Sequence, residues 1–228
     1  MFSVSEHWNP KQKLLRNIIL KEDKFSKAID IILDLHSIVH SCDVSSRDIQ
    51  TLEDQLWDGL DIKAFVTMPT LKDVTIAWNI WYITRIEDLT VNLLIADEIQ
   101  EFNCKDWSAK LNIKVSDTGN AMTKNEIIDF SLKINLEELR NYRMAVGRRT
   151  RNIILNLEPT DMRKKVQKDR LQRIFDEDGV LDVEDSKWLL DFWGKKNIAG
   201  LILMPLTRHQ VVHLNDSLKL KKKFSRMR

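Results

Sequence analysis

Cysteine, proline and glycine are all scarce in this chain: two, four and six among 228 residues. Cys42 and Cys104 make one distant pair, which is no disulfide framework, so both are expected as reduced thiols in a reducing compartment. So little Gly and Pro punctuation disfavours many short strands and favours long helices. Excess charge is missing too. Lys and Arg number 36 against 34 Asp and Glu, a net charge of +2. No strong global field therefore selects nucleic acid or an acidic partner. A spanning helix needs about 20 apolar residues, and the longest apolar run near the end, Ile198 to Leu206, falls far short. Met1 to Pro10 holds no apolar signal core. There is no Gly-rich phosphate loop, no Gly-x-Ser-x-Gly elbow and no Cys-x-x-Cys pair. The expectation is a cytoplasmic protein with no membrane and no nucleic-acid partner.

What is present is ordinary globular composition, 43% hydrophobic and 31% charged, enough for one core in one domain over residues 1–228. Asn9-Pro10 reads as a helix start, and Leu15, Ile18, Phe25, Ile29, Ile32 and Val39 follow at the spacing of a buried stripe. This predicts a helix over 10–41. A long connection, 42–69, should hold a short helix near Ile49–Leu56. Thr70 with Asp73 suggests a cap for a second helix over 70–100, apolar on nearly every side. Thr123 with Glu126 predicts another cap. Asn135 with Glu138 opens a third long helix over 135–157. Residues 161–179 mix both charges and read as a solvated excursion. A helix about Ser186–Phe192 should end at Gly194. Asn197 can cap a last helix over 198–222, kinked at Pro205.

Several constellations have a plain and a sharper reading. His209 and His213 are four apart and share a helical face, so both rings can reach one metal ion. The plain reading is two polar residues on a part-exposed face. Asp216, seven beyond His209, is the first candidate for an oxygen ligand. His36 and His40 repeat the spacing on helix 1. They read either as buried histidines bonded to neighbours, or as imidazoles completing a nitrogen-rich site with the other pair. Trp78, Trp81 and Tyr82 sit beside Arg85, Glu87 and Asp88. The plain reading is core, with Arg85 paired to an acid such as Asp88; the sharper one is a pocket wall where Arg85 receives an anionic group. Arg148, Arg149 and Arg151 read as a solvated helix. Lys219, Lys221, Lys222, Lys223, Arg226 and Arg228 read as a basic helix end favoured by the dipole. Cys42, just beyond His40, reads as an inert thiol. Trp57, Trp107 and Trp193 are candidates for an exposed apolar face.

Three stretches together resemble one family: Thr75 to Asp88, Asp117 to Met122, and Met204 to Asn215. With the helix order, they are similar to the DinB/YfiT-like superfamily over most of the chain. The resemblance implies an all-α four-helix bundle with extra short helices in long connections, often a homodimer. It implies a divalent metal, zinc or nickel, held by one His of helix 2 and a His-x-x-x-His pair of helix 4. The pair falls on His209 and His213. The helix 2 position falls on Tyr82, with Asn79 the nearby alternative, and neither is His. By the same resemblance the protein is a metal-dependent enzyme, a thiol-dependent transferase or hydrolase taking a small-molecule substrate or thiol. The alternative is a non-catalytic ligand-binding or stress-related oligomeric bundle.

Overall fold

The computed structural model describes residues 4–46, 48 and 50–227. Ile49, the expected start of the short helix, and Arg228, the end of the basic tail, lie outside the described residues. Among those described the chain is all-helical. No strand forms, and a single antiparallel bridge pairs Lys165 with Asn197. No described helix is long and apolar enough to cross a membrane.

The first long helix is two. Helix α1 spans Asn9–Ile18 and α2 spans Phe25–Val39, separated by an extended Lys21 and a tight turn at Glu22–Lys24. The run Lys21–Lys24 has no apolar side chain to bury, so the helix gives way there. α1 then folds back on α2, and Lys11 reaches Asp34 at 2.5 Å across the joint. Three short helices follow: α3 (Cys42–Ser45), α4 (Leu52–Trp57) and α5 (Ile62–Val66). The next long helix, α6, spans Ile76–Asp88 and widens into a π-helical continuation over Leu89–Ala96. Its cap is Thr75, not Thr70. The Thr75 hydroxyl accepts from the Trp78 N–H at 3.0 Å and meets Ser131 Oγ at 2.6 Å. Thr70 instead donates to the Asp73 carboxylate in a local turn before the helix.

After α7 (Trp107–Leu111) come α8 (Lys124–Lys133), capped by Thr123 and Glu126 as expected, and α9 (Leu136–Leu155), capped by Asn135. The charged excursion carries α10 (Lys168–Asp176), and α11 spans Glu184–Gly194. The last rod begins as α12 (Ile198–Leu201), capped by Asn197. It widens to a π-helix over Ile202–Arg208 and resumes as α13 (His209–Ser225). Pro205 lacks an N–H and its ring crowds the preceding turn, and the wider turns absorb it. The carbonyls involved find side-chain donors: Ile202 O takes Thr207 Oγ1, Leu203 O takes Gln12 Nε2, and Pro205 O takes Gln210 Nε2.

Helix α6 packs on α9 and α13, and α2 packs on the same two helices. The four close a ring around one core in which α2 and α6 stand diagonally opposed. Trp78 and Trp81 are 9% and 0% exposed. Their indole N–H groups donate to Gly119 O and Asp117 O, and Arg85 Nε donates to Ser116 O. These donors, spaced three and four along α6, pin the 116–119 loop to the helix. Gly119 turns there with φ +75°, and a Cβ on it would lie 3.1 Å from Trp78 Nε1. Trp107 and Trp193 are only 4% and 1% exposed, and Trp57 stacks on Phe65. They form no exposed face; Trp188, at 49%, is the outward tryptophan.

Candidate functional site

Two polar layers interrupt the apolar core, both built on α6. The first joins α6 to α13. The Tyr82 ring meets His209 and His213 edge-on, with centroids 5.1 and 5.2 Å away, and stacks flat on Trp78 at 4.9 Å. The two imidazole centroids are 4.6 Å apart. His213 Nδ1 lies 3.1 Å from Asn79 Oδ1. A hydrogen bond to a carboxamide oxygen puts the proton on that nitrogen. His209 has no hydrogen-bond partner on either ring nitrogen, though both are buried. Burial drives its pKa down to about 3, helped by repulsion from His213 and Arg143. His213 is lowered by burial against the pull of Asp216. Tyr82 is pushed up to about 12 by burial. At neutral pH this layer therefore offers two uncharged imidazoles, a carboxamide oxygen and a protonated phenol. Both histidines are partly solvent-accessible at the residue level, so the layer lies near the surface.

The second layer lies across the diagonal between α2 and α6. His36 Nε2 is 3.1 Å from Glu87 Oε1, and His40 Nε2 is 2.9 Å from Glu87 Oε2. The two rings stack with centroids 4.1 Å apart. All three residues are sealed, at 1%, 0% and 0% exposed. One ligand atom from each lies within 4.8 Å of the others, so this buried group could hold a metal ion. Burial would raise the pKa of Glu87, but the attraction of His40 and the bonds from both rings outweigh it and hold the carboxyl well below its usual range. Burial takes His40 down to about 3, with Glu87 opposing.

Arg143, on α9, stands beside both layers. It donates through Nε to Glu53 at 2.7 Å, through Nη1 to Thr84 at 3.3 Å, and through Nη2 to Val39 O at 2.8 Å and Gln210 Oε1 at 3.1 Å. Glu53, fully buried, is raised by burial against the pull of Arg143. Its Oε2 also lies 4.0 Å from His40 Nδ1.

The histidine pairs read from the sequence thus sit in different layers. His36 and His40 group with Glu87, not with His209 and His213. Asp216 pairs with Lys219 at 2.8 Å, and its charge is felt at His213. Arg85 is consumed internally: besides Ser116 O it bonds Asp88 at 3.0 Å, Tyr142 Oη at 2.9 Å and Gln100 at 2.6 Å. Asp88 in turn accepts the N–H groups of Glu101 and Phe102. This is the plain reading of Arg85, a clamp that holds the loop after α6. Glu87, Glu53 and Arg143 are the residues that sequence reasoning left out of the site. For Glu87 and Arg143 the signal was present: a Glu inside the most apolar helix, and an Arg on the Leu139, Tyr142, Val146, Thr150 stripe. Charged residues are almost never fully buried unless paired. No family model matches the chain, and no curated protein matches it.

Proposed function

We propose that the chain is a DinB-like four-helix bundle that binds a divalent ion, zinc or nickel, at the α6–α13 layer, and uses it on a small-molecule substrate or thiol. The supporting observation is His209, a buried imidazole with both nitrogens unpartnered, beside His213, Asn79 and Tyr82. A buried neutral imidazole carries one donor and one acceptor, and leaving both unmet is costly. A metal ion on one nitrogen removes the part of that cost that belongs to the bare lone pair. Two imidazoles fit a borderline ion, and His209 and His213 are the groups that would hold it, with the Asn79 oxygen orienting the His213 ring through Nδ1. Bound there, the ion would lower the pKa of a water or thiol so that it is a nucleophile at neutral pH. Around it, Tyr82 and Trp78 supply an apolar wall, and Tyr82 keeps its proton to donate.

A second reading, a ligand-binding bundle without catalysis, is favoured by that same phenol. A Tyr pushed up to about 12 gives no anionic ligand where the resemblance implies His, so the ion is held by neutral donors alone. A competitive titration of zinc and nickel against a chromophoric chelator tests the proposal. The native chain should show a readily exchangeable equivalent that His209→Ala/His213→Ala removes. Tyr82→His, which supplies the third imidazole, should tighten it by about tenfold, the equivalent of roughly 1.4 kcal/mol. An unchanged exchangeable equivalent in the double variant sinks the metal reading. With cobalt bound, adding a small thiol should produce a thiolate charge-transfer band if the ion works on thiols; no band leaves the binding-only reading.

A further inference from the structure

The sealed layer differs in kind from the one just described. We infer that His36, His40 and Glu87 form a separate, structural metal centre that ties α2 to α6 across the diagonal of the fold. The inference does not rest on the α6–α13 proposal, since it uses none of its residues.

The donor set comes first. Two imidazoles and a carboxylate suit zinc and its neighbours. Ligands about 2.0–2.1 Å from a tetrahedral centre are roughly 3.3 Å from one another. The observed nitrogen-to-oxygen separations, 3.1 and 2.9 Å, are close to that spacing before any adjustment. Each ring faces a different oxygen of Glu87, so the carboxylate spans the Nε2 edges of the stacked pair.

The outer face of the rings gives the second observation. Without an ion, both Nε2–H groups must donate to Glu87, because a bare ring nitrogen facing a carboxylate oxygen at this range is repulsive. That tautomer leaves both Nδ1 atoms as bare lone pairs, and neither has a partner although both are buried. The His40 Nδ1 lone pair then points toward the Glu53 carboxylate, 4.0 Å away. With an ion on Nε2 the ring proton moves to Nδ1, and Glu53 becomes the acceptor that a metal-bound imidazole usually has. Arg143 already fixes Glu53 for that task at 2.7 Å.

Room for the ring is also built in. Gly147 on α9 lies against His40, and a Cβ there would come 2.6 Å from Nδ1 and 2.9 Å from Cε1. With all three residues sealed, no substrate reaches the group, whereas a catalytic centre keeps a position open to substrate.

The experiment uses the full chain carrying His209→Ala/His213→Ala, so that the other layer cannot contribute. Zinc alone is the probe. The protein should retain one slowly exchanging equivalent. X-ray absorption at the zinc edge should show two imidazole nitrogens and carboxylate oxygen. Glu87→Gln in the same background should lose that equivalent, by more than the roughly 10–100-fold that changing an outer partner costs. If Glu87→Gln fails to fold, the absorption spectrum of the parent still decides, because sulfur ligands or a single imidazole overturn the assignment. A parent chain that takes up no zinc at micromolar free ion also overturns it, leaving Glu87 held by the two N–H groups alone. Loss of metal from the α6–α13 layer with retention here separates failure of the first proposal from failure of this one.

Discussion

At the residue scale, a glycine carries one of the clearest signals. Gly147 sits mid-helix in α9, where glycine costs about 1 kcal/mol relative to alanine. On propensity alone Gly147→Ala should stabilise the chain. The structure reverses that sign. The new methyl would meet two atoms of the His40 ring at 2.6 and 2.9 Å and Val44 Cγ1 at 3.1 Å. The ring cannot retreat without losing Glu87. Overpacking of this kind costs about 1–3 kcal/mol, so urea unfolding should give a net loss. A variant as stable as the native chain or more so would mean that the His40 ring is free to move. The same scale shows what single residues hide in a sequence. The Arg85–Asp88 pair was legible because both partners lie on one helix, three apart. Glu87 was marked only as a charge inside the most apolar helix; its partners were not legible, because they lie some 50 positions away in the chain.

At the scale of elements, caps were the most legible feature. Thr123, Asn135 and Asn197 each cap a helix where their side-chain chemistry says they should. A cap is a contact of residues two or three apart, so the sequence contains all of it. Continuity was less legible. The break between α1 and α2 involves neither Gly nor Pro; it falls at the polar run Lys21–Lys24, which has nothing to bury, and lets two apolar stripes pack on one core. The π-helical turns after Asp88 and around Pro205 were likewise outside local rules, except for the kink at Pro205. One small cap makes a pH-dependent prediction. Asp54 accepts the N–H of Thr51 at 3.0 Å and of Cys42 at 3.1 Å, tying α4 to the start of α3. Burial would raise its pKa, but these bonds to the ionised form win and hold it below the usual range. A depressed folded pKa adds stability above the unfolded value of about 3.9 and loses it as pH falls through the folded value. Carbon-detected NMR should give an Asp54 midpoint below about 3.9, and the Cys42 amide should titrate with it. A midpoint at or above the reference value would rule out these bonds to the carboxylate in solution.

At the scale of the molecule, the all-helical class and the main rods were legible because the hydrophobic period is a global property of the sequence. Which faces oppose which was not. One guanidinium reports that arrangement most directly. Arg143 on α9 bonds Val39 at the end of α2, Glu53 in α4, Thr84 in α6 and Gln210 in α13. It is fully buried, as is Glu53, so it touches all four rods of the ring. A buried charge pair need not add net stability, because desolvation offsets attraction, whereas breaking one strands a charge and costs about 3–5 kcal/mol. Arg143→Met should therefore cost several kcal/mol, with the Glu53 carboxylate left unmatched and Gln210 short of a donor. Glu53→Leu should also be costly, since Arg143 keeps its charge and only neutral acceptors remain. The two together remove both charges and fill the space with apolar atoms. Their combined cost should fall well below the sum, with a coupling at the upper end of the roughly 0.5–3 kcal/mol seen between contacting residues. Urea denaturation of the four proteins, stripped of metal so that ion binding does not enter the balance, measures it. Additive losses would mean that Glu53 and Arg143 act independently, and would remove the ion pair from the account of how the four helices are held in register.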